Sequence, residues 1–359
     1  MTTIALTITP LIVPTSLEDD EGADFRAYGE LNRLICDEAV GLPDIAPDAA
    51  QLLASWRDPT DTLCTGFVAR HGDEIVGMVT IDYPQEEDAQ AAEIDLMVPA
   101  RHWGHGVEDA LLSLAESEAR AHGRSLAQTW TLHRPIDADR MITPRTGWGR
   151  IPATPLSDVL TARGYEFEQV ERNSEFDLKS DPAPVRAALE AAETAAGPDY
   201  RTLQWMAPTP ADRRHGYAAI LARLSTDAPS GDMDFVAEVW DADRVVRREN
   251  RLTGAGQALS IVAVEHVPTG ALVAYNELLV GADRASVTHQ LGTLVSSDHR
   301  GHRLGTVVKC ANLLLWRDLM SLSPAVSTFN AEENRPMLGI NEALGFVAVS
   351  YAGAWQKRL

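Results

Sequence analysis

One order of structural elements occurs twice along the 359 residues. In the first half, two β-rich runs around a polar turn precede a strand, a glycine-containing loop, a helix and another strand. They read "GFVARHGDEIVGMVTIDY", "AAEIDLMVPARHWGHGVEDALLSLAESEARAHG" and "SLAQTWTL". The second half repeats this order in "SIVAVEHVPTGALVAYNELLV", "VTHQLGTLVSSDHRGHRLGTVVKCANLLLWRDLM" and "AVSTFNA". Because the repeated unit is large enough to form its own core, the pattern predicts two domains of one fold.

The boundary between the two copies is predicted from composition. The stretch "KSDPAPVRAALEAAETAAGPDY" has proline near both ends and an alanine-rich middle, which favours a helix. We interpret it as a linker helix. The predicted division is therefore an N-terminal domain over 1–180, a linker over 181–198 and a C-terminal domain over 199–359.

Composition and charge exclude several classes of protein. Apolar residues make up 45% and charged residues 23%, with no apolar run long enough to span a bilayer. The N-terminus "MTTIALTITPLIVP" has neither a basic start nor a clear cleavage site, so we expect a cytoplasmic protein. A net charge of −21 argues against partners such as nucleic acid or a membrane surface. It is compatible with a cationic substrate, although an acidic proteome explains it equally well.

Cysteine and histidine positions do not predict a metal site or a disulfide. Cys36, Cys64 and Cys310 are far apart and lack paired spacing. The histidines of the two glycine loops show no metal-type pairing across a helical turn. We therefore expect reduced thiols and no bound metal.

The two glycine loops carry the most informative motif. Residues 101–106 read RHWGHG and fit R-x-x-G-x-G, whereas residues 300–305 read RGHRLG and depart from it only at Arg303. Each loop lies between a strand and a helix. The first N–H groups of a helix lack partners within it, and its dipole is positive at that end, so such a loop suits a pyrophosphate.

At these loops the chain resembles the GNAT family of acyl-CoA-dependent N-acetyltransferases, in which the motif binds the pyrophosphate of acetyl-CoA. The resemblance covers most of 60–178 and nearly all of 199–359. It is strongest to the tandem GNAT proteins of actinobacteria, of which three stretches here are typical: "LSTDAPSGDM", "GTLVSSDHRGHRLGTVVK" and "TFNAEENRPMLGINEALGF".

The resemblance implies a fold, an activity and a cosubstrate. It implies an α/β (α+β) chain of two GNAT-like domains, each with a mixed, mostly antiparallel twisted sheet flanked by helices. It further implies an acyltransferase, with acetyl-CoA as cosubstrate, that moves the acetyl group to the amine of a small molecule by direct attack on the thioester. A monomer or a homodimer is expected.

The resemblance also implies which residues contact the cofactor. In the C-terminal domain these are the end of the strand, the loop and a downstream asparagine: Leu294, Val295, Ser296, Arg300, Gly301, His302, Arg303, Leu304, Gly305 and Asn334. In the N-terminal domain they are Arg101, Gly104 and Gly106. Asn341 stands where many GNAT enzymes have a tyrosine that protonates the leaving thiolate. Since an amide is not a useful acid, this position departs from the family.

Candidates for the base and for acceptor binding follow from the same comparison. Counting back from Arg300 to the position of the family base gives His289, a residue type suited to proton transfer near neutral pH, although a hydrogen bond at a strand edge explains it equally well. Glu277 is a second candidate, with a solvated strand position the stronger interpretation. Asp227 and Asp232 could hold a cationic amine, or could simply form turns and helix caps.

The corresponding positions of the N-terminal half lack this chemistry. The base position holds Gln90 or Ala91, and the tyrosine position holds Leu160. We therefore predict catalysis in the C-terminal domain, although the N-terminal half has the more regular motif. Two alternatives remain open: a non-catalytic CoA-binding sensor or partner protein, and an acyltransferase with another acyl donor or a hydroxyl or thiol acceptor.

Overall fold

The computed structural model describes residues 5–227 and 229–359. The strands are β1 (Thr7–Pro10), β2 (Thr62–His71), β3 (Glu74–Pro84), β4 (Ala91–Met97), β5 (Leu126–His133), β6 (Met141–Ile142), β7 (Ile151–Pro152), β8 (Glu166–Asp177), β9 (Tyr200–Met206), β10 (Ala258–His266), β11 (Ala271–Val280), β12 (Thr288–Val295), β13 (Ala325–Ala331) and β14 (Val347–Arg358). The helices are α1 (Ala23–Val40), α2 (Ala49–Trp56), α3 (Val107–Ala121), α4 (Pro155–Ala162), α5 (Ala183–Ala196), α6 (Arg214–Ala222), α7 (Leu224–Asp227), α8 (Ala242–Gly254), α9 (Leu304–Leu319) and α10 (Arg335–Leu344).

The chain forms two compact units whose boundaries differ from the predicted ones. The N-terminal unit holds the residues up to Glu171 together with Ser230–Val236 and Ser350–Leu359. The C-terminal unit holds Arg172–Pro229 and Ala237–Val349. The predicted linker is largely helix α5, which packs against α9 inside the C-terminal unit. Sequence propensity locates such a helix, but only tertiary contacts decide to which unit it belongs.

In the N-terminal unit the strands follow the order β1-β2-β3-β4-β5, and the last part of β14 lies beside β5. The pairs from β1 to β4 are antiparallel, whereas β4 and β5 are parallel. Helices α1 and α2 cover one face with a core that includes Phe25 and Trp56. Helix α3 covers the other face through Val107 and Leu111.

The C-terminal unit repeats this arrangement in the order β13-β12-β11-β10-β9, with the last part of β8 beside β13. Only β12 and β13 form a parallel pair among these five strands. Helices α5 and α9 cover one face, and α6 and α8 cover the other through Tyr217 and Val245. The predicted α/β class with mixed, mostly antiparallel sheets is confirmed. No helix in the described part of the chain is long and apolar enough to cross a membrane.

Candidate active site

The parallel strands of the C-terminal unit separate after a short contact. Strands β12 and β13 pair only through Thr288 with Val326 and His289 with Ser327 in the described residues. One residue further on, Gln290 Nε2 donates a hydrogen bond to Thr328 Oγ1 at 2.9 Å. From there to Val295, β12 remains paired with β11 on its other edge. The edge towards β13 therefore offers backbone donors and acceptors to a ligand that enters the opening.

A β-bulge lies at the narrow end of this opening. The register between β11 and β12 shifts so that Leu291 and Gly292 face the single residue Glu277. Bulges disrupt the ladder locally and are frequent beside active sites. The corresponding ladder in the N-terminal unit, between β3 and β4, runs from Met78 to Asp82 without a shift.

At the wide end of the opening, helix α9 begins with an unneutralised N-terminus. Arg303 adopts a left-handed conformation with φ of 61°, and Gly301 has φ of 89°. The helix has no side-chain cap on its first residue and no acidic residue in its first turn, as far as the described residues go. The positive end of its dipole is therefore free to bind an anion.

A cavity of about 420 Å³ adjoins this helix start. Its volume lies within the usual range for small-molecule sites. Arg303 and Thr306 form its polar side. The remaining lining comes from α5 and α10, mainly as small or aliphatic side chains: Ala188, Ala191, Ala192, Ala195, Pro336, Gly339, Ile340, Ala343 and Leu344. The sequence pattern of α5 indicates only a linker helix and does not show that its alanine face lines this cavity.

The N-terminal loop is matched to the C-terminal one by the elements around it. Strand β4 begins at Ala91 as β12 begins at Thr288, and α3 begins at Val107 as α9 begins at Leu304. A short 3-10 turn precedes each helix, at Ala100–His102 and at Ser297–His299. The two turns differ in residue number by the same amount as the strand starts and the helix starts. Three correspondences result: Gly104 with Gly301, Gly106 with Arg303, and Glu108 with Gly305. Gly104 and Gly301 both have positive φ, and so do Gly106 and Arg303.

In the N-terminal loop, a side chain of the protein itself occupies the place where an anion would bind. Glu108 Oε1 accepts a hydrogen bond from the Gly104 N–H at 2.7 Å, and Glu108 is only 5% exposed. Asp109 adds a second carboxylate to the same first turn. Arg101, expected to bind phosphate, instead forms an ion pair with Glu74 at 3.5 Å. The more regular of the two motifs is therefore the one whose loop already holds carboxylates of its own chain.

Residues 30–134 match the model of the acetyltransferase (GNAT) family. These residues belong to the GNAT family. The whole chain has the fold of a tandem GNAT protein from the clavulanic acid biosynthesis pathway, with a TM-score of 0.74, 24% identity, and coverage of 99% of this chain and 98% of the other. A GCN5-related N-acetyltransferase from Sphaerobacter thermophilus superposes with a TM-score of 0.61 at 14% identity, covering 99% and 97% of the two chains.

A third similar structure is a GCN5-related glucosamine N-acetyltransferase region of a fungal multi-domain β-N-acetylglucosaminidase. Its TM-score is 0.62 at 11% identity, and the match covers 99% of this chain and 38% of the fungal chain. A search of curated protein sequences gives no significant match. At these identities the structural similarities establish the tandem GNAT fold, and the chemistry depends on the residues of the site.

Among the predicted residues of the GNAT site, His289 lies at the narrow end of the opening. It pairs in register with Leu279 and Ser327. Because Gln290 points towards α9, strand alternation places His289 on the opposite face, where it is half-buried. A base at this point can reach an acceptor that approaches the strand opening from the α6 side.

Glu277 is neither a solvated residue nor an available base. It is 1% exposed, and its carboxylate forms a two-pronged ion pair with Arg248, with N–O distances of 2.5 and 3.0 Å. The hydroxyl of Tyr217 also donates to it. Because Arg248 and Tyr217 already engage this buried carboxylate, it is not available to take a proton from a substrate, and its role is structural.

The two asparagines after β13 have different environments. Asn334 caps α10 by accepting a hydrogen bond from the Met337 N–H at 3.4 Å. Asn341 is 1% exposed and donates from Nδ2 to Asn330 Oδ1 at 2.8 Å. Its own Oδ1 is buried without a hydrogen-bond partner in the described structure. The position of the family tyrosine thus holds an amide pair that offers no acidic proton.

A buried amine that the sequence does not predict lies beneath the opening. Lys309 is fully buried in α9, and its Nζ donates to Gln290 Oε1 at 2.8 Å and lies 4.9 Å from the centre of the Phe346 ring. Burial lowers the pKa of Lys309 to about 7. The apolar pattern of α9 does not by itself indicate that Lys309 is buried. The signal available in the sequence is a single lysine among the apolar residues of that helix.

The two aspartates predicted to hold a cationic acceptor belong to different units. Asp227 lies in the C-terminal unit and pairs with Arg223 at 3.1 Å. Asp232 lies in the N-terminal unit, where its carboxylate is 3.6 Å from Arg145. Because each carboxylate already has a cation, the structure does not present them as a joint amine site.

Proposed function

We propose that the protein is an N-acetyltransferase that uses acetyl-CoA to acetylate the amine of a small molecule, and that its C-terminal unit carries the reaction. The observation that supports this most is the continuous path from the free N-terminus of α9 along the open edge of β12 to the bulge at Gly292. A pyrophosphate, an extended amide-containing arm and a thioester fit these three parts in that order.

Each part of the path has a distinct task. The loop N–H groups and Arg303 bind the negative pyrophosphate. The free edge of β12 between Gln290 and Ser296 hydrogen-bonds the pantetheine amides as a neighbouring strand would. Acetyl-CoA supplies the thioester carbonyl that the amine attacks. His289 accepts the proton of the incoming ammonium, which makes the nitrogen nucleophilic.

The leaving thiolate has no tyrosine at the usual GNAT position. Asn341 can hydrogen-bond but cannot supply a proton at useful acidity. Water is therefore the proposed proton source for the thiolate. The same substitution is the observation that favours the second candidate, a sensor that binds acyl-CoA without turnover.

The function is tested by incubating the protein with acetyl-CoA and a panel of amines, polyamines, aminoglycosides and amino-acid derivatives. A thiol reagent follows the release of free CoA, and matched hydroxyl and thiol compounds form separate arms of the panel. We expect release that depends on an amine. Calorimetric binding of acetyl-CoA with no release in any arm supports the sensor instead.

The N-terminal unit is expected to bind acetyl-CoA only after its loop is opened. Glu108→Gly removes the carboxylate that occupies the Gly104 N–H. Calorimetry should find one acetyl-CoA per chain in the wild type and a second, weaker site in this variant. Glu108→Gln is the matched control, because an amide oxygen can still accept from Gly104 and should keep the loop closed. Two sites in the wild-type protein would contradict the proposal.

A further inference from the structure

A tyrosine hydroxyl lies directly on the bulge of β12. Tyr275 is on β11, in register with Leu294, and its side chain lies on the face covered by α6 and α8. The ring leans along β12 so far that a Cβ atom built on Gly292 would lie 2.2 Å from Tyr275 Oη. The hydroxyl therefore fills the space that a side chain at position 292 would occupy.

This hydroxyl has no partner in the described structure. Tyr275 is fully buried, and its Oη makes no hydrogen bond. Its neighbour Tyr217, by contrast, donates to Glu277, and Arg248 takes up both oxygens of that carboxylate. A buried hydroxyl left unpaired is unfavourable, whereas phenylalanine would fill the same volume without that cost. Such a group points to a hydrogen-bond partner supplied by a ligand.

The geometry of the opening indicates which part of the ligand reaches Tyr275. The pantetheine arm contains two amides and is comparable in length to about four extended residues, at ~3.3 Å for each. If the pyrophosphate lies at the start of α9, an arm that runs back along β12 from Ser296 ends beside Gly292. There the strands close again at His289 and Ser327, so the thioester stops at the bulge.

We infer that Tyr275 Oη donates a hydrogen bond to the carbonyl oxygen of the acyl thioester and stabilises the negative charge that develops on it, an inference that rests on the proposed function. The amine nitrogen forms its bond to the carbonyl carbon, and the C–S bond breaks with its electron pair leaving on sulfur. The phenolic proton stays on Tyr275 throughout.

The surroundings of the hydroxyl suit a donor rather than an acid or base. Burial raises the pKa of Tyr275 well above its ordinary value, and the charge of Glu277 raises it further, while Arg248 opposes this. These surroundings therefore favour the protonated phenol. A fixed, desolvated donor aimed at a developing oxyanion needs no reorganisation during the reaction.

Tyr275→Phe tests the inference without knowledge of the acceptor. Calorimetry compares acetyl-CoA with CoA, which has the thiol but no carbonyl. We expect the wild type to prefer acetyl-CoA by about tenfold, as one hydrogen bond from a desolvated donor allows, and the variant to bind the two equally. In infrared spectra of ¹³C-acetyl-CoA, the carbonyl stretch should shift to lower frequency on the wild type and not on the variant.

Tyr217→Phe is the matched control. It removes a hydroxyl that is already bonded within the protein, so it should lower the Tm and leave the acetyl-CoA preference intact. Tyr275→Phe should leave the Tm unchanged or raise it, because no bond is lost in the free protein. A preference and a carbonyl shift that persist in Tyr275→Phe overturn this inference alone. A wild type that binds no acetyl-CoA overturns the proposed function as well.

Discussion

Gly305→Glu is expected to weaken acetyl-CoA binding by the C-terminal unit about 100-fold. The structure already contains this arrangement, because Glu108 holds the corresponding position in the N-terminal loop and binds the N–H of Gly104. A glutamate at 305 would reach the N–H of Gly301 in the same way and repel the pyrophosphate. Losing two charge-assisted hydrogen bonds of about 1.5 kcal/mol each weakens binding by roughly 100-fold, which calorimetry measures directly.

Two further variants at this position separate charge from bulk. Gly305→Ala adds a Cβ atom 3.0 Å from the terminal carbon of Ile340, a flexible group that can move, so binding should be nearly unchanged. Gly305→Gln has the shape of glutamate without its charge and should give an intermediate loss. Full binding by Gly305→Glu would show that the start of α9 does not hold the pyrophosphate.

His289→Ala is expected to lower kcat by roughly 10²-fold or more, on the usual scale for loss of a general base. The affinity for acetyl-CoA should stay within a few fold, because the imidazole lies at the acceptor side of the strand opening. Steady-state kinetics on the best amine of the panel provide both readouts.

An exposed histidine of the same unit gives the control for this substitution. His215 lies on α6 with its side chain in solvent, so His215→Ala should leave kcat unchanged. Circular dichroism and the Tm then establish that His289→Ala remains folded. A wild-type rate in His289→Ala would remove this residue from the mechanism and leave direct deprotonation by water.

The two loops show that a sequence motif alone does not determine which of their positions are equivalent. The motif R-x-x-G-x-G aligns Arg101 with Arg300. In the structure, however, the position equivalent to Arg300 is Trp103, and the position equivalent to Gly305 is Glu108. A pattern of glycines can be matched in more than one register. The backbone conformation at Gly106 and Arg303 and the first helical residue decide which register is real.

Glu277 illustrates the same limit for a single residue. Its position on a strand allowed either a base or a solvated side chain. Its actual partner, Arg248, comes from α8, which is separated from β11 in the sequence by a whole strand. Pairing of this kind depends on how helices pack on a sheet, and no local pattern records it.

By itself, the amino-acid sequence determined that one α/β fold occurs twice, because hydrophobic period, glycine turns and element order are local properties that both halves repeat. Tertiary structure alone decided which of the two loops leaves the N-terminus of its helix open to an anion. The carboxylate of Glu108 folds back onto the Gly104 N–H in one loop, whereas α9 begins uncapped beside an open strand edge in the other. Whether a helix N-terminus is free for an anion depends on what lies against it in space.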